Sequence, residues 1–258
     1  NAALMALRLR DLRLSLNQGE DRLLVAAADL LGVETAALKN LRLVRRSLDA
    51  RQKGRLQWVC TVEFEVADER LFLKHCSGLN ALQPVTPLPD IVLPRLTRPC
   101  RALVVGMGPA GLFAAKWLAE SGVKVTLIDR GGSVEERVRE VEAFWASGQL
   151  RADSNVQFGE GGAGTFSDGK LTTRLNHPWR EHVLETLVRF GARPEILIDA
   201  KPHVGTDLLR KVVVRFRNYL QALGVELRFR TCLTGFETHS GRLVGGVLDR
   251  HELVRCDV

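Results

Sequence analysis

The chain has 258 residues and a formal charge of +7, with 45% hydrophobic and 26% charged residues, which excludes a disordered or fibrous protein. That length can bury roughly 70–75% of the unfolded surface, in one large core or two modest ones. The charge excess is spread out, 15 − 11 = +4 over residues 1–99 and 22 − 19 = +3 over 100–258, and aromatics are only 6%, which argues against a nucleic-acid partner. Cys60, Cys76, Cys100, Cys232 and Cys256 show no Cys-x-x-Cys pair and no metal-ligand spacing. Neither a disulfide framework nor a metal site is expected, and a reducing, cytoplasmic setting fits best. No apolar run of 18 residues and no secretory leader pattern is found, so no membrane association is expected. The chain opens on Asn1 and stops at Cys256-Asp257-Val258, where a strand is starting, so it reads as a fragment.

In chain order, Leu7, Leu9, Leu12, Leu14 and Leu16 alternate with polar residues except for one slip at Asp11, which predicts a strand. Residues 20–31 carry acids in their first turn and stop at Gly32, as a helix does. Two strands, Leu41–Leu48 and Arg55–Val66, follow around an Ala50–Gly54 turn, with a short helix at 69–75. The basic cluster Arg42, Arg45, Arg46, Arg51, Lys53 and Arg55 reads as a strand and turn with a solvated face. The order suggests a ferredoxin-like α+β domain over 1–82. Pro84, Pro87, Pro89, Pro94 and Pro99 make 83–100 an extended linker. Beyond it strand and helix alternate: Ala102–Gly106, Pro109–Ser121 and Val123–Asp129, then a helix at 134–147 and a glycine loop at 159–169. Helices at 179–191 and 206–223 and a strand at 225–233 come next. Arg242–Leu248 and His251–Val258 read as a hairpin leading into a returning strand. The fold class is α/β, a Rossmann-type domain over 101–258, incomplete at its C-terminal side, with a substrate domain starting at about 172–204.

Gly106-Met107-Gly108-Pro109-Ala110-Gly111 is G-x-G-x-x-G, directly after the apolar strand and opening an amphipathic helix. Gly106 suits the tight turn, Gly108 lets backbone approach a pyrophosphate, and Gly111 permits close helix–strand packing. The helix N-terminus then presents N–H groups and the positive end of its dipole to phosphate. Twenty-three residues after Gly106, the second strand ends at Asp129, where a dinucleotide fold places the carboxylate that takes the adenosine ribose hydroxyls. NAD and FAD share this fingerprint. The segment Phe158–Lys170, with five glycines in the eleven residues 159–169, favours FAD, because its backbone can lie against a flat ring or more pyrophosphate, where a simple NAD domain would proceed to a third strand.

Gly106–Gly111, Asp129-Arg130, Ser154–Leu171, Lys201–Asp207 and, in the front domain, Ser47–Lys53 together resemble the uncharacterised bacterial FAD-dependent dehydrogenase family. That resemblance covers nearly the whole chain and implies a glutathione-reductase-type FAD domain behind a ferredoxin-like domain. It implies that Gly106, Met107, Gly108, Pro109, Ala110 and Gly111 meet the FAD pyrophosphate, with Asp129 and Arg130 at the adenosine. Gly161, Gly162, Ala163, Gly164 and Thr165 would lie toward the flavin, and Cys232 and Leu233, on the strand at 225–233, at the adenine edge.

Catalytic residues are not identified by pattern. His203 and Lys170 are the candidates: His203 precedes a helix that Thr206 or Asp207 can cap, in a segment that passes the flavin in related folds, and Lys170 could stabilise an anionic reduced flavin. The expected activity is hydride or electron transfer by bound flavin on a small-molecule substrate, with NAD(P)H as a possible donor and the oligomeric state open. Two rivals remain: a flavin-dependent nucleic-acid modification enzyme using the basic turn 42–55, and a non-catalytic flavin-binding protein.

Overall fold

The computed structural model describes residues 6–52, 54–86, 91–173, 177 and 179–258. Lys53, Pro87 and Pro89, singled out above, lie outside the described residues, as does part of the 172–204 stretch. The chain forms two compact units. The first contains residues 1–89, 172–185 and 194–202, and the second 90–171, 186–193 and 203–258. Residues 172–185 and 194–202, expected to open a substrate domain, thus fall in the first unit.

The first unit runs β1 (Ala6–Ser15), α1 (Leu23–Leu31), β2 (Lys39–Asp49), β3 (Gln57–Glu65), α2 (Glu69–His75) and β4 (Leu82–Pro84). Its strands form one antiparallel sheet in the order β2-β3-β1-β4. Leu7, Leu9, Leu12 and Leu14 are all buried, and the slip at Asp11 is a bulge between Leu9 and Leu12 with φ +59° at Asp11, which restores Leu12 to the buried face. Those leucines share a core with Cys60, Val62 and Phe64 of β3, with Leu23, Ala27 and Leu31 of α1, and with Phe72 of α2. At roughly 1.5–3 kcal/mol for each fully buried large side chain, this core is what holds so small a sheet together. Gly32 closes α1 in the left-handed conformation at φ +66°. The proline-rich stretch begins later than expected. Pro84 belongs to β4, opposite Leu7, because an edge strand tolerates the missing N–H.

β2, the other edge, receives chain from far along the sequence. The Arg46 N–H donates to the Ile198 carbonyl (2.8 Å), the Ala200 N–H donates to the Arg46 carbonyl (2.9 Å), and the Arg46 guanidinium meets Asp199 at 2.9 Å.

The second unit is built on β5 (Arg101–Val105), α3 (Pro109–Glu120), β6 (Lys124–Ile128) and α4 (Val134–Ser147), followed by α6 (Thr206–Ala222) and β7 (Glu226–Arg228); of α5 (Trp179–Arg189), which precedes α6, residues 186–189 belong to this unit and 179–185 to the first. β5, β6 and β7 are parallel neighbours in that order. Phe113 of α3 meets Phe216 of α6 edge-on at 5.2 Å, and Phe190 stacks on Phe216 at 4.6 Å, fixing these helices on the sheet. A meander of β8 (Leu233–His239), β9 (Arg242–Leu248) and β10 (Glu252–Arg255) follows. Beyond it the Asp257 N–H donates to the Arg101 carbonyl (2.8 Å) and the Leu103 N–H to the Val258 carbonyl (3.0 Å), so these residues run alongside β5. The strand expected at 225–233 is shorter than its apolar pattern suggests. It ends at Arg228, because the N–H groups of Arg230 and Thr231 turn away to the carbonyls of Gly131 and Asp129. Among the described residues no helix is long and apolar enough to cross a membrane.

Candidate functional site: a dinucleotide turn braced by a second glycine loop

The chain leaves β5 through Gly106 at φ +99° and enters α3 with Gly108 as N-cap and Pro109 at the first helical position. A Cβ on Gly111 would stand 1.8 Å from the Gly106 carbonyl oxygen, so the helix can pack this close only with glycine there. At Gly106 and Gly108 a Cβ would meet no protein atom within 4 Å. Glycine at these two positions leaves open room in front of the α3 N-terminus, where no side chain caps the free N–H groups. That room and those donors fit the pyrophosphate of a dinucleotide.

Asp129 lies at the end of β6 but is only 6% exposed. Its Oδ2 accepts the Met107 N–H (2.6 Å) and its Oδ1 the Gly131 N–H (2.8 Å), so the carboxylate braces the turn from behind. Each oxygen keeps a further acceptor position for a ribose hydroxyl. Met107 is turned inward, with its N–H given to Asp129 and its carbonyl accepting the Gly161 N–H (2.8 Å). It supports the turn, its N–H being already given to Asp129. The Arg130 guanidinium covers the Phe158 ring at 4.9 Å and reaches the Cys232 Sγ at 3.7 Å. Cys232 is therefore brought beside Arg130, but not as a strand residue. Its N–H donates to Asp249 Oδ1 (3.0 Å) and its carbonyl accepts the Asp249 N–H (2.9 Å), so its backbone is fully engaged, while Leu233 already belongs to β8.

The second glycine loop packs directly on the first. Gly159, Gly161 and Gly162 have φ of +98°, +78° and +62°, and a short helical turn over Gly162–Phe166 follows. A Cβ on Gly162 would lie 3.3 Å from Gly108 Cα and 3.4 Å from Pro109 Cδ. Gly161 and Gly162 are buried, Ala163 is exposed and Gly164 intermediate. Thr165, expected toward the flavin, is fully buried with its hydroxyl donating to the Glu160 carbonyl (3.2 Å), which makes it part of the loop's own scaffold.

Two residues that no motif singled out, Gly131 and Arg137, hold this loop in place together with Glu160 of the loop itself. Gly131 abuts Gly159, where a Cβ would come within 2.6 Å of the Gly159 backbone. Arg137 of α4 is wholly buried and gives its guanidinium to the loop: to the Glu160 carbonyl, to the Gly162 carbonyl (3.0 Å), to Thr165 Oγ1 (3.4 Å) and to the carbonyls of Asn155 (3.3 Å) and Val156 (3.1 Å). Its Nε has no partner, and burial holds its pKa down at about 10. Glu160 is also wholly buried. Its Oε2 accepts the Val134 N–H at the start of α4 (2.8 Å) and Arg217 Nη1 from α6 (2.9 Å), while Oε1 is left without a partner. Desolvation outweighs that hydrogen bond and the attraction of Arg217 and Arg137, with Glu135 adding repulsion, so the carboxyl is pushed up to about 7. Phe166, at the end of the loop, sits between the guanidiniums of Arg137 (4.9 Å) and Arg210 (5.1 Å).

Lys170 and His203 are neighbours. They pair across an isolated antiparallel bridge supported by the Val204 N–H to the Gly169 carbonyl (3.0 Å), and both are exposed. Lys170 Nζ meets Asp168 Oδ2 at 3.1 Å. The cap expected from Thr206 or Asp207 is absent. Gly205, at φ +82°, is the N-cap of α6, and the Thr206 hydroxyl donates instead to the Ser167 carbonyl (2.6 Å).

An uncharacterized protein of Clostridium beijerinckii is 37% identical to this chain over 240 residues, which is 93% of the chain and 45% of that protein. The chain thus spans less than half the length of this curated relative. Among solved structures, 3-ketosteroid-delta4-(5alpha)-dehydrogenase from Rhodococcus jostii RHA1, in complex with 4-androstene-3,17-dione, aligns over 64% of this chain and 47% of its own, at 17% identity and a TM-score of 0.36. L-amino acid deaminase from Proteus vulgaris aligns over 65% and 54% at 13% identity and a TM-score of 0.31. Residues 6–65 match a domain of unknown function, DUF8436. Residues 99–141, which contain β5, the Gly106–Gly111 turn, α3, β6 and the start of α4, match the family described as FAD binding domain, and FAD is the cofactor of this site.

Proposed function

We propose that these residues supply the dinucleotide-holding part of an FAD-dependent oxidoreductase, built as a glutathione-reductase-type Rossmann domain behind a ferredoxin-like domain and akin to the uncharacterised bacterial FAD-dependent dehydrogenases. The observation that carries this reading is the apposition of Gly162 to Gly108, which makes the two glycine turns one backbone-lined cradle at the α3 N-terminus. The β-α-β-β-α-β order with sheet order β2-β3-β1-β4 supports the ferredoxin-like reading of the first unit. Parallel β7-β6-β5, with residues 257–258 on the far side of β5, supports the Rossmann reading of the second.

In this reading the N–H groups of Ala110 and Gly111 hold the pyrophosphate, Asp129 accepts from the ribose, and Arg130 flanks the adenosine. Bound flavin supplies hydride or electron-pair chemistry with a small-molecule substrate. Arg137 and Glu160 keep the second loop closed against the first, and His203 holds or moves a proton beside Lys170. The five free cysteines support a reducing, cytoplasmic compartment.

The test is the cofactor extracted from the purified full-length protein and its turnover. Bound FAD that is reduced and then reoxidised by an added acceptor is the expected result. NAD in its place would overturn the cofactor reading, and a flavin that no acceptor reoxidises would reduce its role to a structural one.

A further inference from the structure

The open end of the first unit's sheet carries a feature unrelated to the dinucleotide cradle. A cavity of about 550 Å³ is lined by Arg13 of β1, Asp49 at the end of β2, Arg51, Gln52 and Arg55 of the following turn, and Gln57 at the start of β3. In the sheet register Gln57 faces both Ser15 and Asp49, so the lining residues converge from three adjacent strand ends.

Asp49 sets the geometry. Its carboxylate accepts Arg51 Nε (2.9 Å) and Nη2 (2.7 Å) side-on, takes the Arg51 N–H at 3.2 Å, and meets Arg13 Nη1 at 3.5 Å. These contacts hold its carboxyl well below the usual carboxylate range. One fixed anion thus orients two guanidiniums, while Arg55, the third, has no side-chain partner among the described residues. Among the described lining residues, three cations against one anion leave 3 − 1 = +2. On the same sheet face, by contrast, Arg8 and Arg42 share the buried Glu63 carboxylate, so their charge is partly spent within the protein.

We propose that this cavity binds the phosphate group of a small phosphorylated metabolite. Guanidinium forks match phosphate oxygens in pairs, and the local +2 matches a phosphate dianion. The volume exceeds what a bare phosphate ion fills and falls in the range of small-ligand sites, leaving room for a polar body that the carboxamides of Gln52 and Gln57 can reach. Among the described residues no aromatic side chain lines the cavity, which removes the stacking platform that single-stranded nucleic acid uses.

The experiment uses the full-length protein saturated with FAD, so that the dinucleotide turn is filled, and titrates it with glycerol 3-phosphate by calorimetry at low salt. Saturable binding is expected, weakened about tenfold or more in an Arg13→Gln/Arg55→Gln double variant, the order of effect for losing charge-assisted contacts. Unchanged melting temperature and flavin content would show that the variant is folded. Equal affinity in parent and variant would overturn the site. Succinate binding as tightly as glycerol 3-phosphate would overturn the phosphate assignment. Single-stranded RNA binding more tightly, with a steep salt slope abolished in the variant, would replace it with a nucleic-acid surface.

Discussion

Replacing Glu160 by Gln isolates the energetic consequence of a carboxyl buried where the second glycine loop packs on the start of α4 and on α6. With its pKa raised from 4.5 to about 7 in the folded protein, this group binds a proton more tightly folded than unfolded. Its favourable contribution is therefore fully present below pH 4.5 and is lost as pH rises through about 7. Integrating between those two values, folding stability falls by about 2.5 kcal/mol from pH 5 to pH 8 on account of this one residue, with a slope of about 1.2 kcal/mol per pH unit in the middle of the window. Glutamine keeps the shape and an acceptor for the Val134 N–H, and it cannot ionise. The stability of Glu160→Gln relative to the parent should therefore rise by about that amount across the same window. Urea unfolding of both proteins at pH 5, 6, 7 and 8, read as the difference at each pH, cancels the contributions of the other groups. A difference that stays constant from pH 5 to pH 8 would refute the reasoning and mean that Arg217 keeps the carboxylate ionised throughout.

Gly108→Val should abolish FAD binding with little loss of thermal stability, because its Cβ enters space that no protein atom occupies; flavin content and melting temperature measured together check this. Gly111→Ala should instead lower the melting temperature, since its methyl group would meet the Gly106 carbonyl oxygen at 1.8 Å. Arg137→Leu should cost on the order of 3–5 kcal/mol, because the carbonyls of Asn155, Val156, Glu160 and Gly162 lose their donor while buried, and chemical denaturation reads it directly. Asp129→Ala should weaken FAD binding, on the order of 1.5–3 kcal/mol for the ribose contact alone, and also loosen the turn by freeing the N–H groups of Met107 and Gly131. A flavin titration showing no loss would move the ribose contact elsewhere.

The elements were legible wherever local pattern decides them. The leucine alternation with its slip at Asp11 read directly as a strand, which the structure resolves with a bulge at the slip, and the turn from β5 into α3 follows from glycine spacing after an apolar strand. What failed depended on partners distant in sequence. Apolar content carried the expected strand through Leu233, but the N–H groups of Arg230 and Thr231 are captured by the carbonyls of Gly131 and Asp129, just past β6. Pro84 looked incapable of sheet pairing until the neighbour of β1 was known to be an edge. Of the site, the glycine positions were visible and the clamp was not. Arg137 sits in a stretch rich in acids that reads as solvated, and only its place in line with Val134 and Val141, at helical spacing, hinted at burial. Glu160 stood inside the quoted loop, yet its burial arises from α4 and α6 closing over it, which no local pattern encodes.

The cover on β2 imposes an order on biosynthesis. During translation, the four strands of the first unit's sheet emerge well before residues 198–200, which close the backbone of Arg46 at the sheet's edge. For roughly a hundred and fifty residues of elongation, about 8–30 s at typical rates, that edge stays open on the ribosome. An open edge is a template for pairing with another nascent chain, so the charged residues Arg42, Arg45 and Arg46 along β2 double as gatekeepers during that interval. A polypeptide released at residue 100 would keep the edge open permanently and should associate through it. In the intact chain the edge is covered at Arg46 when Asp199 arrives to meet it.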